Sequence, residues 1–214
     1  MKKRLLTVWA TGLFVLAASS GAQALTINSG AIEVGSIDTL LTSTISPNSG
    51  EEAEVNWVNG VLGTTYTVAN YFKDDFDWDD PGFVNPWKTV DGSNNDGWAY
   101  DLLSDGGYFL IKTGNFKVVD STGKEVQGVT LPDTFLYQND PSEDWAVVSL
   151  SGIALHLNTY LAQNYSGQYS VAAFDLTKLS HLGEFNNPIP EPATMLLFGT
   201  GIAGLAAVAR RRKN

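Results

Sequence analysis

The sequence predicts an all-β ectodomain, a two-sheet antiparallel sandwich of jelly-roll-like form, spanning residues 25–186 between two terminal segments of different character. Three observations carry this expectation. Short runs rich in β-branched and aromatic residues alternate with clusters of Gly, Asn, Asp and Ser. Turn signatures separate several of them: Ser104-Asp105-Gly106-Gly107, Thr113-Gly114-Asn115 and Ser121-Thr122-Gly123. No repeat of fixed period marks a solenoid or a propeller.

Residues 1–24 read as a secretory signal peptide. Lys2, Lys3 and Arg4 form a positive start, residues 5–18 are mostly apolar, and Ala22-Gln23-Ala24 is a small-x-small cleavage site. Cleavage after Ala24 leaves a chain that begins at Leu25 outside the cytoplasm. Strands are expected at 31–37, 61–70, 108–112, 116–119, 145–150, 169–175 and 179–185, with 116–119 paired to 125–129 as a hairpin. Ile153, Leu157, Tyr160 and Leu161 fall at i, i+4, i+7 and i+8, a helical face, although an apolar run this short is equally compatible with a strand. Residues 40–56 and 73–100 read as long loops.

Composition narrows the chemistry. Residues 25–189 hold six lysines, no arginine and 22 acidic residues, a net charge of −16, against −10 for the whole chain. Such a domain repels nucleic acid and anionic surfaces, so no nucleic-acid partner is expected; acidity also keeps an exported protein soluble. Cysteine is absent, which removes thiol nucleophiles and cysteine metal sites. A domain of this length buries enough core without disulfides.

The densest acidic stretch runs from Asp74 to Asp80, with five aspartates in seven residues. After it, Asp91-Gly92-Ser93-Asn94-Asn95-Asp96-Gly97 places side-chain oxygens at positions 1, 3 and 5 in the manner of a calcium loop, which makes Asp91, Ser93, Asn95 and Asp96 candidate calcium ligands. The pattern departs from the motif: Asp96 stands in place of its glycine and no glutamate closes the loop, so a solvated acidic loop is the competing reading. Trp78 and Trp87 lie in the same polar region and are candidate sugar-stacking rings, since an aromatic face packs on C–H groups while neighbouring Asp and Asn side chains bond hydroxyls. Trp145, which begins an apolar strand, reads as a core anchor. The two histidines, His156 and His181, sit in separate segments without ligand spacing and read as structural. Neither a nucleophile elbow nor a phosphate-binding glycine loop is present, so catalysis is not expected; 22 acids make some carboxylate pairing inevitable and no evidence for a glycosidase.

The C-terminal segment, residues 187–214, is the most specific part of the chain. Pro190-Glu191-Pro192 is followed by an uncharged run from Ala193 to Ala209, then by Arg210-Arg211-Arg212-Lys213. The prolines hold the tripeptide extended. The 17 uncharged residues reach the lower limit for a bilayer span, and the cations fix their end on the cytoplasmic side. The arrangement resembles the sorting signal of the PEP-CTERM family, the substrates of exosortases in Gram-negative bacteria. The resemblance covers about one eighth of the chain. It implies export, transient anchoring in the inner membrane, recognition of Pro190-Glu191-Pro192 by an exosortase with cleavage near it, and delivery of the domain, expected from its lack of catalytic motifs to be non-enzymatic, to the cell surface or extracellular matrix. By the same resemblance exopolysaccharide and biofilm are the expected surroundings. A calcium-dependent glycan-binding module and a polysaccharide-active hydrolase are the alternatives for the ectodomain.

Overall fold

The computed structural model describes residues 24–46, 50–103, 107–140 and 144–186. Ala22 of the cleavage site and the tail from residue 187 onward lie outside the described residues, which begin at Ala24. Among the described residues no helix is long and apolar enough to cross a membrane.

The described residues are mostly β, in four antiparallel sheets with two α-helices. It opens with a hairpin of β1 (Leu25–Ile27) and β2 (Ile32–Gly35). β3 (Thr39–Thr44) then enters the largest sheet, and α1 (Glu51–Leu62) follows. β4 (Tyr71–Asp75), β5 (Lys88–Thr89), β6 (Gly97–Asp101) and β7 (Tyr108–Thr113) come next. β8 (Val118–Asp120) and β9 (Glu125–Val126) form a hairpin, ahead of β10 (Thr134–Gln138) and β11 (Trp145–Ser149). α2 (Leu150–Asn164), β12 (Tyr169–Val171) and β13 (Leu179–Phe185) complete the domain. The five-stranded sheet has the order β3-β10-β7-β13-β4; the three-stranded sheets are β11-β6-β5 and β12-β8-β9.

Alternation of side chains sorts the core into layers. Phe109 and Ile111 of β7, Phe135 and Tyr137 of β10, and Leu182 of β13 meet Tyr100 of β6, Ala146 and Val148 of β11, and Ile153 and Leu157 of α2. The residues between them point the other way: Leu110, Leu136, Tyr71 and Phe185 pack under Val55 and Val58 of α1. The outer face of the three-stranded sheet, Ala99 and Val147, is covered by Ile27 and Val34 of the first hairpin. Trp145 packs there as well. β7 and β10 therefore read as continuous apolar runs because both of their faces are covered.

Three expectations need correction. Residues 61–70 hold no strand: α1 ends at Leu62, Gly63 closes it in the left-handed conformation at φ 68°, and Val68–Asn70 is a 3-10 turn. The segment 40–56 contains β3 and the start of α1, whose first turn carries Glu51, Glu52 and Glu54, the charge that a helix N-terminus favours. The segment 73–100 contains most of β4, with β5 and β6. Among the described residues the strands fall in four hydrogen-bonded sheets. The helical face at 153–161 is a true helix, with Ser149 as N-cap accepting from the Gly152 N–H. The 116–119 hairpin pairs Val118 with Val126 and Val119 with Glu125, and β13 spans the expected residues.

Candidate functional site

The segment that precedes the tail is built firmly. β13 lies inside the five-stranded sheet, paired antiparallel with β7 on one side and β4 on the other. Phe185, its last residue, is fully buried, and the Asn186 N–H donates to the Asn70 carbonyl at 2.9 Å. The described chain ends there, four residues before Pro190. Pro190, Glu191, Pro192 and the cluster Arg210, Arg211, Arg212 and Lys213 lie beyond it.

The acidic loop ties three parts of the fold together. The Asp91 carboxylate accepts from the Thr26 hydroxyl at 2.9 Å and from the Gly30 and Ser29 N–H groups at 2.8 and 3.2 Å, closing the first hairpin. The Gly30 N–H is the main reason that this carboxyl is held below its ordinary range. Asp96 turns the opposite way, to the start of α2. It accepts from the Ser149 hydroxyl at 2.7 Å and from the N–H and hydroxyl of Ser151 at 2.7 and 2.9 Å. Burial pushes the Asp96 carboxyl up, and the three serine bonds outweigh it and leave it low. The Ser93 hydroxyl donates to the Val90 carbonyl, and the Asn95 carbonyl accepts from the Trp98 indole. Asn94 and Asn95 take left-handed φ angles of 52° and 64°, which suits a tight turn of Asn residues. The four candidate calcium ligands thus lie within six residues of sequence, but their two carboxylates point to different partners. Among the described residues no three His, Asp or Glu side chains are grouped to hold a metal.

The two candidate sugar-stacking rings separate. Trp87 is 3% exposed, with its ring against Phe76 and Tyr100 at centroid distances of 6.0 and 5.3 Å. It belongs to the core, and its faces are already occupied, so a sugar has no access to stack on it. Trp78 is partly buried. Its indole donates to the Leu179 carbonyl at 2.6 Å, and its ring meets Phe76 and Phe83 edge-on. Asp74, in the acidic stretch, accepts the Tyr100 hydroxyl at 2.7 Å.

Both histidines have partners that sequence spacing does not reveal. His181 Nε2 lies 3.0 Å from Glu54 Oε1, and the Tyr71 hydroxyl donates to Glu54 Oε2 at 2.6 Å. His181 and Glu54 are each 1% exposed, so a polar chain runs from α1 into the five-stranded sheet. Burial first, and then the bond to Glu54, pushes the Tyr71 phenol up and keeps it a donor. His156 Nε2 lies 2.7 Å from the Ser43 hydroxyl, joining α2 to β3, and burial lowers its pKa. Glu54 lies 17 residues before Tyr71 and 127 before His181 in sequence, which is why no motif announces the chain. An open cleft of about 540 Å³ runs beside the β8–β9 hairpin, with Lys117 and Lys178 balanced by Glu125 and Asp133.

The family model described as the PEP-CTERM protein-sorting motif matches residues 188–213. The chain carries a PEP-CTERM protein-sorting motif. No curated protein and no solved structure matches the chain. The PEP-CTERM match begins two residues after the last described residue of the β domain. It marks the chain as an exported precursor that is anchored in the membrane and then cut by an exosortase.

Proposed function

We propose that residues 25–186 are a non-enzymatic component of the cell surface or extracellular matrix, released by exosortase cleavage near Pro190 and associated with exopolysaccharide. The observation that carries this reading is the PEP-CTERM motif at 188–213, joined to an acidic β domain by a few residues. We read the five-stranded sheet and the β11-β6-β5 sheet, which face each other across one core, as the two layers of a sandwich, with α1 and the first hairpin added outside. The domain's net charge of −16 favours solubility in a hydrated matrix over adsorption to anionic lipid.

Intact mass spectrometry of the protein isolated from its own cells tests this reading. The expected mass begins at Leu25 and ends near Pro190. A mass that retains Arg210 to Asn214 makes the protein a permanent membrane resident and removes the matrix role. Incubation with a broad panel of polysaccharides is expected to give no turnover; release of any oligosaccharide by the purified domain overturns the non-enzymatic part.

A further inference from the structure

The way the chain leaves the sheet fixes how the domain stands on its anchor, an inference that rests on the anchored-precursor reading above. We propose that the end of the five-stranded sheet from which β13 departs is the face that the precursor presents to the lipid bilayer, with Leu103 and Val68 as its apolar contacts.

The tether is short and cannot be lengthened cheaply. It starts at Phe185, which is fully buried and closes a strand bonded on both sides, so extra chain is gained only by opening the sheet. From Phe185 to Ala193, where the uncharged run begins, the backbone reaches at most about 26–29 Å. The headgroup layer takes about 5–7 Å of that. The exit end of the sheet therefore stays within roughly 20 Å of the headgroups. The opposite end, marked by Asn115 and Thr177, lies a strand length further, about 20–24 Å for the seven residues of β13. With the domain standing upright on its anchor, that end stays clear of the surface.

Two side chains at the exit end suit contact with lipid. The bond from Asn186 to the Asn70 carbonyl sets the Val68–Asn70 turn beside the exit. The Leu103 N–H donates to Glu184 Oε2 at 2.9 Å, which fixes Leu103 next to the penultimate residue of β13. Leu103 is 69% exposed and Val68 42% exposed, and neither belongs to a core cluster. The domain's negative charge offers no attraction to anionic headgroups, so the contact depends on the tether holding these side chains near the surface. Cutting the tether then ends the contact, and release is complete.

The chain contains no cysteine, so single labels are placed cleanly. Leu103→Cys, Val68→Cys and, at the far end, Asn115→Cys are made in the full chain, labelled with a fluorophore and reconstituted into vesicles of phosphatidylethanolamine and phosphatidylglycerol carrying nitroxide-labelled lipid. The labels at 103 and 68 are expected to lose most of their emission and the label at 115 little of it; after cleavage at an engineered protease site in the 187–189 segment, all three recover. Equal quenching at the three positions, or none in vesicle-bound protein, overturns the membrane-facing surface while leaving the anchor intact. Failure of the full chain to float with vesicles overturns the anchored reading itself. A photocrosslinker at 103 that captures a membrane protein in cells, with no lipid quenching in vesicles, assigns this end to a protein and overturns the lipid contact. Near-ultraviolet circular dichroism of each labelled variant matching the parent confirms that the domain is folded in every comparison.

Discussion

Gly183 lies under the ring of Tyr71, and a β-carbon at that position would collide with the ring. The residue is glycine because the aromatic must cross the strand closely to reach Glu54, which in turn meets His181. Gly183→Ala is expected to lower stability by about 3 kcal/mol, the upper range for overpacking a tight core, measured as a fall in the urea midpoint. Asp38 provides a second residue-scale test. It is 7% exposed, and burial pushes its carboxyl up to about 7 in spite of the N–H bonds it accepts from Val147 and Asp140. Its folded value lies above the ordinary 3.8, so its contribution is fully present below about pH 4 and is lost as pH rises through about 7. His156 acts in the opposite sense: burial lowers it from 6.5, so its contribution falls as pH drops below that value. Asp91, Asp96 and Asp120 are held low and lose their contributions only as pH falls below 3.8. The Tm difference between the parent and Asp38→Asn should therefore shift against the parent between about pH 4 and pH 8. A pH-independent difference would show that Asp38 does not titrate in that window.

At the scale of elements, Asp96 supplies from a distant loop the negative charge that the first turn of α2 lacks. Asp96→Ala removes an acceptor from three serine donors, and since the site is largely solvated the cost is expected to be about 1–2 kcal/mol. For a domain of this size that is a Tm lower by about 3–6 °C by differential scanning calorimetry, and an unchanged Tm would mean that Ser149 alone caps the helix. The same residue shows what sequence could and could not reveal. Asp96 stood out because of a calcium-like spacing, and its actual partners, Ser149 and Ser151, lie more than 50 residues away. β13 was legible because its apolar run and flanks agree locally. α1 was not, because Val55, Val58 and Leu62 are spaced among polar residues and only the acidic first turn and Gly63 mark its ends. Trp87 looked exposed among aspartates, yet tertiary packing with Phe76 and Tyr100 decides its environment. The tail was readable because a sorting signal acts as a linear sequence, whereas the His181–Glu54–Tyr71 chain exists only once the strands have paired.

For the whole molecule, the tail and the domain divide the work. The PEP-CTERM motif gives destination, and the described domain ends before the motif begins, so cleavage removes nothing from any described core cluster. Glu191→Ala is expected to leave the precursor in the inner membrane fraction, detected by fractionation and immunoblotting; normal release of that variant would detach this chain from exosortase processing. The position of β13 has one more consequence. A pull on the tail runs along an interior strand whose ladder bonds, on both sides, lie across the direction of force. Those bonds must give way together in shear, since they cannot be unzipped one pair at a time. While anchored, the domain is held by the part of its fold best suited to bear mechanical load, so a pull between domain and anchor should open other contacts before it unravels the sheet.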